Sequence, residues 1–139
     1  MTLQEAISRL KFKDDQHKER YEKLRAEYIG AGDYPEKHPD PYREALAYLI
    51  SLNDDMYRHR HKIYDEEERC IIPEAVKAEW QTSSSLRATR LAFNLFTASV
   101  NWCEDGEEIY CTPDAIFDSY DAPFFVEAVK LRMYPAFDE

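Results

Sequence analysis

The chain has 139 residues, with 18 Lys plus Arg against 28 Asp plus Glu, for a formal net charge of −10. That length suits one domain over 1–139. The charge argues against direct nucleic-acid binding, which needs cations on phosphates, and against an anionic membrane surface. Leu, Ile, Val and Phe total only 29 residues, near the level below which charged chains stay unfolded. Ten Tyr and two Trp supply further bulk, so an aromatic-rich core is expected.

The first dozen residues mix Glu5, Arg9 and Lys11 among single apolar residues, which is not the pattern of a secretory leader. The longest uncharged stretch, 91–103, is too short to span a bilayer and contains Asn94 and Asn101. Cys70, Cys103 and Cys111 make an odd number, as in a reducing compartment, so a cytoplasmic location is expected. Cys103 and Cys111 could meet across a short loop. The pattern over 1–13 does not fix whether these residues pack or stay flexible.

Asp14 and Asp15 open a predicted helix to about residue 29, with Tyr21, Leu24, Tyr28 and Ile29 as its stripe. Lys18/Glu22 and Lys23/Glu27 are i,i+4 pairs on it. Gly30 and Gly32 end it, and 33–39 reads as a loop. Asp40 as N-cap and Pro41 at the first helical position start the next helix, where Tyr42, Ala45, Leu46, Leu49 and Ile50 share one face. Asn53 caps a helix predicted over 54–64, acidic at its start and basic in its second half. A charged link over 65–69 follows, and then a short helix over 72–80.

Ser83, Ser84 and Ser85 are predicted to cap the longest apolar helix, over 86–101. Leu91, Ala92, Phe93, Leu95, Phe96, Ala98 and Val100 cover most of its circumference. The stretch 103–111 reads as an acidic loop or small hairpin around Asp105-Gly106. Thr112-Pro113 and Asp121-Ala122-Pro123 start two more helices, the last burying Phe124, Phe125, Ala128, Val129 and Leu131. No alternating strand pattern exceeds four residues. The class is therefore all-α: six or seven helices around a central apolar helix at 86–101.

Two features single out candidate functional residues. Residues 104–139 hold ten carboxylates against two cations, so most of the net charge sits there. This is either a solubilising surface or a recognition face for a basic partner. On the apolar helix, Arg87, Arg90, Asn94, Thr97 and Asn101 fall on one polar stripe. In one reading Arg90 pairs with Asp54 or Asp55 and Asn94 ties down a loop. In the other, Arg87, Arg90 and Asn94 with Ser83, Ser84 and Ser85 form an anion pocket at a helix N-terminus.

Other chemistry finds little support. Asp55 and His59 are i,i+4 without a third ligand, and no Cys/His zinc spacing occurs, so no metal and no cofactor are expected. Asn101-x-Cys103-x-Asp105-Gly106 has Thr112 where a calcium loop needs a bidentate Glu. No Gly-x-Ser-x-Gly elbow exists, and an enzyme is not the favoured reading.

One pattern goes further. Asp40-Pro-Tyr-x-x-Ala-Leu-x-Tyr-Leu-Ile, Asn53-Asp, Ile63-Tyr-Asp, Trp80-Gln-Thr-Ser-Ser-Ser, Arg90-Leu-Ala-Phe-Asn-Leu, Ile116-Phe and Ala128-x-x-Leu-Arg follow one another in order. This order resembles a small domain-of-unknown-function family from Gram-positive bacteria, their phages and mobile elements. The resemblance covers about 38–133, and 80–95 is its most specific part. It implies a short helical cytosolic protein, and no activity or site residue.

The leading expectation is a non-enzymatic protein–protein interaction module for a basic protein partner, acting in a bacterial or mobile-element system. A phage-type inhibitor of a nucleic-acid-binding enzyme is one concrete form. The alternatives are a binder of an anionic small molecule, or an unrecognised enzyme, using the Arg/Asn/Ser set, and a self-associating structural protein that forms a dimer.

Overall fold

The computed structural model describes residues 1–29 and 40–137. The predicted glycine stop at Gly30 and Gly32 and the loop over 33–39 lie outside the described residues. Among those described, seven α-helices form: α1 (Leu3–Ser8), α2 (Asp15–Ile29), α3 (Pro41–Leu52), α4 (Asp54–Arg58), α5 (Ser83–Thr97), α6 (Pro113–Phe117) and α7 (Ala122–Arg132). Short 3-10 turns cover Arg60–Lys62, Pro73–Lys77, Glu107–Cys111 and Tyr134–Phe137. The all-α class follows the sequence reading.

Local chemistry sets most helix starts. The Asp40 carboxylate accepts the Tyr42 and Arg43 amides at the head of α3, and Pro41 occupies a position whose N–H would have no helical partner. Asn53 Oδ1 accepts the Met56 amide at 3.1 Å, and Thr112 Oγ1 accepts the Ala115 amide at 3.2 Å. Before α5 the cap is Thr82, one residue ahead of the predicted serines. Its hydroxyl accepts the Ser85 amide while Ser85 Oγ accepts the Thr82 amide. The helix stops at Thr97, short of 101, because Ala98 turns left-handed at φ 57°.

The most enclosed helix is α3. Every residue from Glu44 to Leu52 is buried, and α2, α5 and α7 pack around it. Burying Leu46, Leu49, Ile50 and Leu52 stabilises the fold by roughly 2 kcal/mol each. Helix α5 lies beside it because its polar stripe must reach outward, whereas the polar groups of α3 find partners inside. Ser51 Oγ donates to Tyr48 O at 2.9 Å. Buried Glu44 accepts from Arg25 Nε at 2.7 Å and from the Tyr21 hydroxyl.

Residues 1–13 pack. Leu3 and Ala6 of α1 are buried, and α1 lies on α7. The Lys11 amide donates to Glu127 Oε1 at 2.9 Å, and the Tyr48 hydroxyl donates to Lys11 O at 2.6 Å. Phe12 joins an aromatic cluster with His17, Tyr21 and Tyr48.

Two predicted helices change form. The one expected over 72–80 is a 3-10 turn at Pro73–Lys77. The one expected over 54–64 breaks after Arg58 into a 3-10 turn and a strand. Residues Tyr64–Asp65 (β1) and Cys70–Ile71 (β2) pair antiparallel, Tyr64 opposite Ile71. Asp65 Oδ1 accepts the Glu67 and Glu68 amides, and Arg69 turns left-handed at φ 55° to close the hairpin. The predicted charged link is thus its turn. The stretch 103–111 forms no hairpin; Gly106 at φ 86° leads into a 3-10 turn.

Candidate functional site

The predicted Arg/Asn/Ser set is brought together only in part. Ser85 is buried and committed to the cap, where its hydroxyl also donates to Gln81 Oε1 at 2.5 Å. Gln81 Nε2 in turn donates to Ala75 O and Thr89 Oγ1. Ser83 and Ser84 are exposed on the first turn of α5. Arg87 Nε donates to Ala115 O at 3.2 Å, stapling α5 to α6. Arg90 lies 4.8 Å over the Tyr110 ring rather than beside Asp54 or Asp55. Those carboxylates pair with Arg20 and Arg58 instead. Asn94 ties down a loop, accepting from Trp102 Nε1 at 3.0 Å.

What remains is a broad face. Ser83, Leu86, Arg87, Arg90, Tyr110 and Asp118 line an open depression of about 300 Å³. Next to it, across Arg90, is a cleft of about 240 Å³, with Val76 and Trp102 among its apolar walls and Lys77, Glu104 and Glu107 among its charged ones. Lys77 and Glu104 form an ion pair there. Cys103 and Cys111 do meet, both as free thiols. Burial and the neighbouring Cys103 sulfur push the Cys111 thiol upward, so it stays protonated.

Beyond α5 the surface is acidic and aromatic together. Residues 104–120 carry six carboxylates and no Lys or Arg. Ile109 is 65% exposed and Tyr120 fully so, with Tyr110 half-exposed between them in sequence. Glu104, Asp105, Glu108, Asp114 and Asp118 are all exposed around them.

Asp55 and His59 face other partners, the Asp55 carboxylate pairing with Arg58 at 2.7 Å. His59 Nδ1 donates to the Asp55 backbone carbonyl at 2.8 Å, and its ring stacks flat on Trp80 at 4.5 Å. A different set could hold a cation: Glu27, His61 and Glu66, from α2, a 3-10 turn and the hairpin turn. Sequence reasoning missed it, since no spacing rule joins the last turn of α2 to the hairpin.

No described helix is long and apolar enough to cross a membrane. A family profile matches residues 7–138, nearly the whole chain. The chain belongs to DUF6075, a family of unknown function. The match extends on both sides of the 38–133 stretch on which a family resemblance rests, taking in α2. No curated protein and no solved structure matches the chain. A role for this DUF6075 chain therefore has to come from its own residues.

Proposed function

We propose that this chain is a cytoplasmic, non-enzymatic interaction module that presents its 100–120 face to a basic protein partner. The observation that carries this reading is Ile109 and Tyr120, exposed among six carboxylates with no cation in 104–120. Aromatic and aliphatic anchors with a polar rim are the usual composition of a protein-binding patch. The carboxylates steer a cationic partner and repel nucleic acid and other acidic surfaces. The setting that fits is a Gram-positive bacterium, its phage or a mobile element. There, such a face could occupy the phosphate-binding surface of a nucleic-acid enzyme.

The test is capture by the immobilised protein at low and moderate salt, repeated with the double variant Ile109→Ala, Tyr120→Ala. The partner is expected to be lost from the variant and weakened by salt, which screens exposed charges over about 8 Å at 0.15 M. A partner held equally by the variant and indifferent to salt would refute the proposed face.

A second reading rests on Arg87 and Arg90 lining one depression with Ser83. There they would clamp a phosphate or carboxylate of a small metabolite. Binding of inorganic phosphate or citrate that Arg90→Ala abolishes would favour this reading. A stable dimer in light scattering, dispersed by the Ile109/Tyr120 variant, would instead assign the face to self-association.

A further inference from the structure

Glu27, His61 and Glu66 lie far apart in sequence, yet one ligand atom from each falls within 4.8 Å of the other two. His61 Nδ1 and Glu66 Oε1 are 3.6 Å apart. A divalent ion bound at about 2.0–2.2 Å sets its ligand atoms roughly 3–4 Å from one another. The most widely separated of these atoms therefore need to close by roughly 1–2 Å. His61, with a side chain 64% exposed, is free to make that move.

A second observation points to a ligand at the same place. Tyr28 follows Glu27 in the last turn of α2 and packs its ring against Tyr64 at 4.7 Å. Its hydroxyl is buried and has no hydrogen-bond partner. It lies in the field of the Glu27 and Glu66 carboxylates and of the Arg60 guanidinium. A buried hydroxyl left without a partner costs about 1–3 kcal/mol. A water or hydroxide held on a cation between these groups would supply the missing partner.

We propose that Glu27, His61 and Glu66 bind one divalent first-row transition cation, with the Tyr28 hydroxyl bonded to the water in its open position. One imidazole nitrogen and two carboxylates, with no thiolate, suit a borderline ion of the zinc class. Calcium and magnesium favour all-oxygen sets. Three protein ligands leave a position for water. Arg60 Nε, 3.2 Å from Glu27 Oε2, is the outer partner that orients that carboxylate. Two carboxylates against one guanidinium leave a net negative charge for the dication to offset.

The test uses the untagged full-length chain, titrated with zinc chloride by calorimetry and with cobalt chloride by visible absorption. One equivalent is expected to bind, with a cobalt spectrum free of thiolate charge transfer. His61→Ala and Glu66→Gln should each weaken binding by at least about 100-fold, the upper end of what an outer partner costs. Tyr28→Phe should weaken it by about tenfold, as loss of an outer partner does. Circular dichroism establishes that the variants fold, and either ligand variant alone decides the matter. No saturable binding would overturn the proposal. So would binding that survives either ligand variant unchanged, or a thiolate band that moves the metal to the cysteines.

Discussion

Arg25 Nε donates to Glu44 Oε1 at 2.7 Å inside the α2–α3 contact, where the Glu44 side chain is fully buried and also receives the Tyr21 hydroxyl. A buried carboxylate is tolerable only while these partners hold it. Arg25→Ala should therefore destabilise the fold by about 3–5 kcal/mol in urea unfolding. The double change Arg25→Met, Glu44→Leu should recover most of that loss, because both charges are then gone. A double variant no better than the single one would show that the pair contributes net stability.

His17 makes the fold sensitive to acid. The Lys13 amide donates to Nδ1 at 3.1 Å, so the proton of the neutral ring sits on Nε2 and is donated to Tyr48 O at 3.0 Å. Burial holds its pKa below the ordinary 6.5, against smaller opposing effects of the Tyr48 carbonyl and Asp14. Between the folded-state value and 6.5 the unfolded chain carries a proton that the folded chain lacks. Stability from this group is thus full above about pH 7 and falls as pH drops through 6.5. His17→Gln, which keeps a donor and an acceptor, should lower stability overall and flatten its slope between pH 5 and 7. Equal slopes in the two proteins would remove His17 as the cause.

The serine run separates a cap from a ligand site. Ser85→Ala strips the partner from the Thr82 amide and from Gln81, and should cost about 1–2 kcal/mol. Ser83→Ala and Ser84→Ala, both at exposed positions, should stay within about 0.5 kcal/mol. Thermal unfolding of the three variants checks the order. A large loss at Ser83 or Ser84 would contradict this assignment of the cap.

Arg132 closes the opposite end of α5. Its Nε donates to Leu95 O at 2.9 Å, and its guanidinium lies 3.6 Å over the Tyr42 ring. A cation on the last carbonyls of a helix also complements its dipole. Arg132→Ala should cost about 2 kcal/mol. In a double-mutant cycle with Tyr42→Ala, a coupling of at least about 0.5 kcal/mol is expected. Additive losses would show that the stacking contributes nothing of its own.

Features set by neighbours in sequence were legible there. Asp40, Asn53 and Thr112 cap the helices their positions announce, because an N-cap bond reaches only two or three residues ahead. The β1–β2 hairpin was not, since two residues per strand give no alternation to read. Charge partners were legible only as types. Glu27 pairs with Arg60 instead of Lys23, while Lys23 turns back to Glu19. Arg90 rests on an aromatic ring from a distant turn, where one of its two readings pairs it with Asp54 or Asp55. In the candidate site the loop-tying role of Asn94 was foreseen, but the division of the serines between cap and surface was not. That division depends on a single residue of helix register.

The contacts that enclose α3 also fix when this protein can finish folding on the ribosome. Helix α7 covers α3, and the segment at Lys11 and Lys13 is pinned by Glu127 and Asp121, more than a hundred residues later. At a synthesis rate of 5–20 residues per second, roughly 4–16 s separate the appearance of Leu52 from that of Arg132. Throughout that interval the most apolar helix lacks one of its walls. A nascent chain stalled before residue 122 should therefore recruit chaperones and be cut readily by protease, and release of the last helix should abolish both.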